Sequence, residues 1–191
     1  ARDLVIDVPG YGRATCDVAW GGAFYAVLPA ARVGLRVEPK QTAALVAAGE
    51  AIKKAVNAVL PIKHPFEDDL SFLYGTILTD EPEEVAHHSR NICVFAHTEV
   101  DRSPTGTGVS ARLAIHHAKG EIKTGETIVI ESILGQNSTF SGRVVAETMV
   151  GSYPAVIPEV SGSAFITSRS EFVIDPRDPL GKGFLVEQIE K

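Results

Sequence analysis

Residues 101–108, DRSPTGTG, combine groups that together could hold a small zwitterion. The proline and the two glycines predict a turn, and the apolar residues that follow predict a helix beginning near Gly106 or Thr107. The first backbone N–H groups of a helix lack partners and carry partial positive charge, so they attract a carboxylate or a phosphate. Asp101, just upstream, offers a carboxylate to an amine. The segment therefore predicts a site for an amino or imino acid.

A plainer interpretation of the same segment is an ordinary Pro-Gly turn. In that case the hydroxyl of Thr105 or Thr107 would cap the helix by accepting a hydrogen bond from one of its first N–H groups. A phosphate loop of the G-x-x-x-x-G-K type is excluded, because the lysine is absent. The spacing by itself leaves the turn and the zwitterion site open.

The other potentially reactive side chains favour structural roles. Cys16 and Cys93, the two cysteines, lie in alternating or apolar stretches, which is typical of buried thiols rather than of a reactive pair. Adjacent histidines on a strand or a helix point apart, so no shared metal ion is predicted for the two such pairs, His87–His88 and His116–His117. The segment from His64 to Leu70 predicts a turn, although it could also approach a ligand.

The composition is that of an ordinary globular protein. The chain has 191 residues, of which 45% are hydrophobic and 22% charged, and a formal net charge of −6 at pH 7. This acidic balance argues against a nucleic-acid partner, because a phosphate backbone requires a basic face. No apolar run is long enough to span a membrane, and no targeting signal is visible, so a cytoplasmic protein is expected.

The hydrophobic pattern predicts an α+β fold with many strands and two long helices. The helices cover about 39–60 and 106–120, and Val109, Leu113 and His117 form one stripe of the second helix. A polar loop is expected between 80 and 90. Two or three strands are expected in 3–30, further strands in 71–79, 91–96, 127–132, 139–148, 153–160 and 163–174, and a last short strand in the tail.

DRSPTGTG resembles the second active-site motif of the proline racemase family, which reads DRSPCGTG in racemases and epimerases. The segments CDVAWGGAFYAVL, PAVIPEVSGSAFIT and DPLGKGFL also resemble family sequence, in the same order. The resemblance implies a fold of two similar halves, as in diaminopimelate epimerase, each a curved, mostly antiparallel sheet around a central helix. Residues 1–180 would form the second half, and 181–191 a tail strand that belongs with the first half.

Thr105 stands where the racemases and epimerases have their second catalytic cysteine. A threonine hydroxyl is far too weakly acidic to share two-base proton transfer at Cα. The swap resembles the trans-3-hydroxy-L-proline dehydratase branch, in which one cysteine takes the α-proton and the 3-hydroxyl leaves as water. The resemblance implies that the product is Δ1-pyrroline-2-carboxylate and that neither a metal nor an organic cofactor is needed.

The resemblance also assigns roles to the loop. Asp101 would hold the ring nitrogen of the imino acid, and the N–H groups of Gly106 and Thr107 would bind its carboxylate. Thr105 would hydrogen-bond the departing hydroxyl or another part of the substrate. Phe24 and Phe95 would line the ring pocket or, equally, serve as aromatic residues of the core.

The family's other motif, a Met-Cys-Gly-His segment, does not occur in the sequence. The chain starts at Ala1 and its only methionine is Met149, so we expect a substrate-binding second half, inactive alone, whose first half is missing. Two alternatives stay open: a 4-hydroxyproline epimerase or proline racemase that has lost a cysteine, and a non-catalytic imino-acid-binding domain. A homodimer is compatible with the resemblance.

Overall fold

One curved sheet and two α-helices make up the architecture. The computed structural model describes residues 1–184. The helices are α1, Thr42–Val59, and α2, Gly106–Ala118. The strands are β1 Leu4–Val8, β2 Gly12–Trp20, β3 Phe24–Pro29, β4 Leu73–Asp80, β5 Ser89–Phe95, β6 Glu99–Val100, β7 Thr127–Ser132, β8 Gly135–Val150 and β9 Tyr153–Ser161.

The strands form a sheet in the order β1-β2-β3-β4-β5-β7-β8-β9, with β6 paired to β5. Two pairs, β3 with β4 and β5 with β7, are parallel, and each of the other pairs is antiparallel. Helix α1 lies in the connection from β3 to β4, and α2 in the connection from β5 to β7. The mostly antiparallel sheet that the family resemblance implied is therefore confirmed.

Helix α1 covers one face of β1 to β5. Its apolar positions recur at helical spacing, and Leu45, Ile52 and Val56 are fully buried against the sheet. The turn Pro39–Gln41 precedes the helix, and Pro61 follows it, which agrees with the predicted span of 39–60. This layer forms the largest core cluster and stays away from the loop at 101–108.

Helix α2 is enclosed by the sheet. Ala111 and Ile115 pack against β3, β4 and β5, while Val109 and Leu113 pack against β7 and β8 on the other side. The predicted stripe described only the second of these faces, because a helix wrapped by a curved sheet buries more than one stripe. Gly120, at φ +72°, accommodates the turn after the helix, close to the predicted helix end at 120.

The last part of the chain departs from the sequence prediction. Residues 163–174 were expected to form a strand, but they are irregular and largely exposed, with Phe172 90% accessible. The physical reason is that no strand in the described part of the chain lies beside them to accept their backbone hydrogen bonds. Residues 181–184 form no strand, and the rest of the predicted tail strand, 185–191, lies outside the described residues.

Neither helix in residues 1–184 combines the length and the apolar character that crossing a bilayer requires.

Candidate active site

The loop between β6 and α2 brings two of the predicted site residues, Asp101 and Thr105, into contact. Asp101 accepts hydrogen bonds from the backbone N–H of Ser103 at 2.9 Å and from the hydroxyl of Thr105 at 3.0 Å. Ser103 in turn accepts the N–H of Thr105 through its hydroxyl at 3.1 Å. The carboxylate of Asp101 is thus held close to the start of α2, on the same side as the Thr105 hydroxyl.

Thr105 immediately precedes the helix in a strained conformation. Its φ is +72° and its ψ is 108°, a region that β-branched residues rarely adopt and that costs about 1–3 kcal/mol. The side chain is 7% exposed, and its hydroxyl bonds Asp101 instead of a helix N–H group. The alternative interpretation of Thr105 as a side-chain cap is therefore wrong, although its backbone occupies the N-cap position.

The first turn of α2 presents unpaired backbone donors. The first intrahelical hydrogen bond runs from the N–H of Val109 to the carbonyl of Thr105, at 2.7 Å. The N–H groups of Gly106, Thr107 and Gly108 find no protein acceptor within residues 1–184. Gly106 and Thr107 are exposed, and a Cβ at Gly106 would meet no atom within 4 Å. This end of the helix is open to an anionic ligand.

Glycines elsewhere around the turn serve packing instead. A Cβ at Gly108 would lie 2.7 Å from Cδ1 of Ile77, so this residue lets α2 approach β4 rather than a ligand. A Cβ at Gly21 would overlap the carbonyl oxygen of Thr107, and one at Gly22 would lie 2.7 Å from Cγ2 of Thr107. The Trp-Gly-Gly turn between β2 and β3 therefore lies directly on the first turn of α2.

A hydroxyl pair joins this helix turn to the sheet. The phenol oxygen of Tyr25 lies 2.7 Å from Oγ1 of Thr107, and either hydroxyl can donate. Tyr25 is fully buried, and burial is the main cause that raises its pKa, so the phenol is protonated at neutral pH. Thr107 consequently does not cap the helix; its side chain is committed to Tyr25.

A cavity of about 300 Å³ opens beside Thr107. It is mostly aromatic, and its lining residues are Trp20, Gly22, Ala23, Phe24, Tyr25, Leu70, Phe72, Tyr74 and Thr107. Phe24 lines this cavity and Phe95 does not, while the role of either residue beside a substrate ring stays a prediction. The ring of Phe95 stacks on Tyr74 with centroids 5.6 Å apart.

The segment that begins at His64 forms a turn, as predicted. Nδ1 of His64 accepts the backbone N–H of Glu67 at 3.0 Å, and a short 3-10 helix, Asp68–Leu70, follows. The imidazole packs 4.6 Å from the ring of Trp20. His64 thus supports one wall of the cavity.

Both cysteines are buried and unsuited to proton transfer. Cys16 lies in β2 and Cys93 in β5, and both are free thiols. Burial raises the pKa of Cys16 to about 11 and that of Cys93 to about 12. The predicted structural role of both residues is confirmed.

The two members of each histidine pair belong to different networks. His87 bonds the buried carboxylate of Glu131 at 2.8 Å, whereas His88 packs edge-to-face against His116 with ring centroids 4.7 Å apart. Nδ1 of His116 lies 2.5 Å from Glu121, and His117 is directed to another part of the surface, 3.4 Å from Glu147. In residues 1–184, no group of three or more His, Cys, Asp or Glu side chains is placed to hold a metal ion.

Three buried polar residues behind the loop were missed by the sequence reasoning: Tyr25, Asn91 and Arg112. Nothing in the residue types signals a role for Tyr25 or Asn91, since both lie in strand patterns. One local signal indicates that Arg112 is buried: it follows Val109 by three positions, so it lies on the same buried face of α2. The guanidinium is 2% exposed and donates to Asn91 Oδ1 at 3.0 Å and to Ser89 at 2.6 Å.

The arrangement places the partially positive start of α2, the carboxylate of Asp101 and an apolar cavity next to one another. Unpaired N–H groups at Gly106 and Thr107 favour a carboxylate, and Asp101 favours an ammonium group. The aromatic walls beside Thr107 favour an apolar ring. Such a site is complementary to a small cyclic amino acid.

Comparison with known proteins shows which family the chain resembles. The family model described as proline racemase matches residues 1–185. The chain is 46% identical over 186 residues to the trans-3-hydroxy-L-proline dehydratase of Colwellia psychrerythraea, covering 97% of this chain and 52% of that protein. It is 44% identical over 185 residues to the 3-hydroxyproline 2-epimerase of Burkholderia multivorans, covering 97% of this chain and 55% of that protein.

A solved structure agrees with the fold. The hydroxyproline epimerase of Agrobacterium vitis, with bound trans-4-OH-L-proline, matches with a TM-score of 0.84 and 34% identity over 97% of this chain and 52% of that one. The chain therefore spans about half the length of the relatives it matches. Because the family model matches almost the whole chain, the chain belongs to the proline racemase family.

Proposed function

We propose that this chain is the substrate-binding half of an enzyme that dehydrates trans-3-hydroxy-L-proline to Δ1-pyrroline-2-carboxylate. The observation that carries the proposal is the open start of α2, where the N–H groups of Gly106 and Thr107 face outward next to Asp101. Thr105 lies between Asp101 and this helix end, and its hydroxyl bonds the carboxylate. The relative from Colwellia psychrerythraea, whose name states this activity, supports the choice of reaction.

Binding follows from the charges at the loop. The substrate carboxylate would accept hydrogen bonds from Gly106 and Thr107, and the ring ammonium would donate to Asp101, whose oxygens each keep a free lone pair. The ring would enter the aromatic cavity beside Thr107. Because the helix end concentrates positive potential on the carboxylate, it also stabilises the negative charge that develops when the α-carbon loses its proton.

The reaction removes one water molecule. The Cα–H bond and the C3–O bond break, a Cα=C3 double bond forms, and the departing hydroxide takes up a proton. The resulting enamine tautomerises to the imine Δ1-pyrroline-2-carboxylate. Thr105, whose hydroxyl now bonds Asp101, can hydrogen-bond the leaving oxygen without acting as a base.

The base that takes the α-proton is not among the described cysteines. Cys16 and Cys93 are buried in strands, and burial keeps both thiols protonated. We infer that a thiolate from outside residues 1–184 supplies this step. The chain alone is then expected to bind the substrate but not to turn it over.

The test compares two preparations: the 191-residue chain alone, and the chain fused to the part of the Colwellia psychrerythraea relative that it does not cover. Each is incubated with trans-3-hydroxy-L-proline and followed by NMR for Δ1-pyrroline-2-carboxylate. Dehydration by the fusion and binding without turnover by the chain alone are expected. A fusion that binds the substrate but releases neither water nor an epimer would point to a non-catalytic imino-acid-binding domain.

Matched variants at Thr105 test its role in the fusion. Thr105→Ser keeps the hydroxyl and should retain most of the activity, whereas Thr105→Val keeps the shape and should lower kcat by about 100-fold, the scale of one lost transition-state hydrogen bond. Equal activity of the two variants would show that the Thr105 hydroxyl takes no part in the reaction.

Epimerisation is the second candidate, because the relative from Burkholderia multivorans that is named as an epimerase matches almost as closely as the dehydratase. Thr105 argues against it, since its hydroxyl cannot serve as the second acid or base. The same NMR assay in D2O decides, because inversion leaves a deuterated hydroxyproline rather than a pyrroline. Thr105→Cys in the fusion is expected to gain inversion, and an epimerase activity already present with Thr105 would overturn the dehydratase assignment.

A further inference from the structure

A buried network lies behind the binding loop, at the side of Thr105 that faces the interior. Asn91, in β5, is fully buried, and its Nδ2 donates to the carbonyl oxygen of Pro104 at 3.3 Å. Its Oδ1 accepts a hydrogen bond from Arg112 at 3.0 Å. Pro104 directly precedes the strained Thr105, so Asn91 holds the peptide group that leads into the site.

The guanidinium of Arg112 decides which way the Asn91 amide points. An arginine can only donate hydrogen bonds, so the amide atom facing it must be the oxygen, and the amide nitrogen must face Pro104. Without this neighbour the amide could turn over and present its oxygen to the Pro104 carbonyl, which would repel it. Arg112 therefore selects the one amide orientation that retains the loop.

Within the described part of the chain, no carboxylate lies within ion-pair distance of the Arg112 guanidinium. Its acceptors are neutral: Asn91, Ser89 at 2.6 Å and His116 at 3.4 Å, while Nε has no partner in that part. Burial lowers the pKa of Arg112 to about 10, so the cation persists at neutral pH. A side chain this costly to bury is poorly explained by packing alone.

We propose that Arg112 and Asn91 are positioning residues for the site: through the Pro104 carbonyl they hold Thr105 in its left-handed conformation and so aim the Gly106 and Thr107 N–H groups outward. Neither side chain touches the ligand. The inference rests on the proposed function for the identity of the ligand, but the geometry of the loop can be measured without one.

Asn91→Asp separates positioning from stability. The aspartate keeps the size of the side chain and adds an ion pair with Arg112, but it has no donor for Pro104. We expect its Tm to stay within about 3 °C of the wild type, while the Kd for pyrrole-2-carboxylate, measured by calorimetry on the 191-residue chain, weakens by about tenfold or more. The amide NMR signals of Thr105 and Gly106 should shift.

Ser89→Ala is the matched control. It removes an acceptor of the same guanidinium but leaves the contact of Asn91 with Pro104, so we expect a lower Tm with unchanged Kd and unchanged loop signals. Arg112→Lys is a second variant in case Asn91→Asp does not fold. It keeps the charge but not the fork that orients the amide, and should weaken binding while it remains folded.

Binding by Asn91→Asp within twofold of the wild type, together with unshifted loop signals, would overturn the proposal. So would a loss of affinity that parallels the loss of Tm in all three variants, since that is the behaviour of a purely structural network. If the wild-type chain fails to bind pyrrole-2-carboxylate, the proposed function fails, but the NMR signals of residues 105–107 still decide the positioning role.

Discussion

The hydroxyl pair between Tyr25 and Thr107 can be tested by a double-mutant cycle. Thr107→Val keeps the shape of the side chain but leaves the phenol of Tyr25, which is 0% exposed, without a partner at 2.7 Å. A buried donor left unpaired costs about 1–3 kcal/mol. Tyr25→Phe removes the phenol oxygen, and the Thr107 hydroxyl, at an exposed residue, can turn to water, so about 0.5–1.5 kcal/mol is expected.

The double variant contains no unpaired hydroxyl, so its stability should be close to that of Tyr25→Phe alone. The coupling free energy then equals the cost of Thr107→Val alone, about 1–3 kcal/mol, which exceeds the scatter of about 0.5 kcal/mol for independent sites. Urea unfolding followed by the fluorescence of Trp20, the only tryptophan and a neighbour in the same cavity, measures each corner of the cycle. Additive effects would refute the contact.

The same cycle has a binding control. Both substitutions keep the backbone N–H of Thr107, so the Kd for pyrrole-2-carboxylate should change by less than about threefold, since side-chain loss leaves the charge-assisted backbone contact in place. A large loss of affinity in Thr107→Val alone would mean that the hydroxyl, and not the backbone, binds the carboxylate.

Three further predictions concern stability. Gly21→Ala places a Cβ against the backbone of α2 and should destabilise the chain by about 1–3 kcal/mol in urea unfolding, whereas Gly106→Ala meets open space and should stabilise it slightly. Glu131→Gln replaces a buried carboxylate that accepts four hydrogen bonds and should lower the free energy of unfolding by about 3 kcal/mol. Arg143→Gln breaks an exposed ion pair and should lower it by less than about 1 kcal/mol. Burial and the nearby guanidinium of Arg112 lower the pKa of His116, so the unfolded chain binds more protons than the folded chain below about pH 6.5. The Tm measured by calorimetry should therefore fall between pH 7.5 and pH 5.5. The fall should be smaller in His116→Gln.

The local pattern of hydrophobic and turn residues was sufficient to predict most helices and strands of the fold. The helical spacing of Leu45, Ile52 and Val56 placed α1 within a few residues, and the run 127–132 coincides with β7. Both signals are local, because amphipathic period and turn residues act within one element. The strand expected at 163–174 was wrong for the complementary reason: β-propensity describes a segment, whereas a strand also needs a neighbour.

The loop 101–108 is the part of the candidate site that the sequence by itself determined. Asp101, Thr105 and the first turn of α2 are neighbours along the chain, so their turn, their helix start and their charge could be inferred without a fold. The site roles assigned to them stay predictions, but their proximity is confirmed.

What only the tertiary structure decided is everything that meets this loop from elsewhere in the chain. Tyr25 reaches Thr107 across 82 residues of sequence, and Arg112 reaches Asn91 across 21, because the sheet curves around α2. No residue type reveals such contacts in advance, since a tyrosine or an arginine acquires its role from the partners that burial brings within hydrogen-bond distance. The chemistry of the loop is local, but the geometry that holds its donors open is a property of the whole fold.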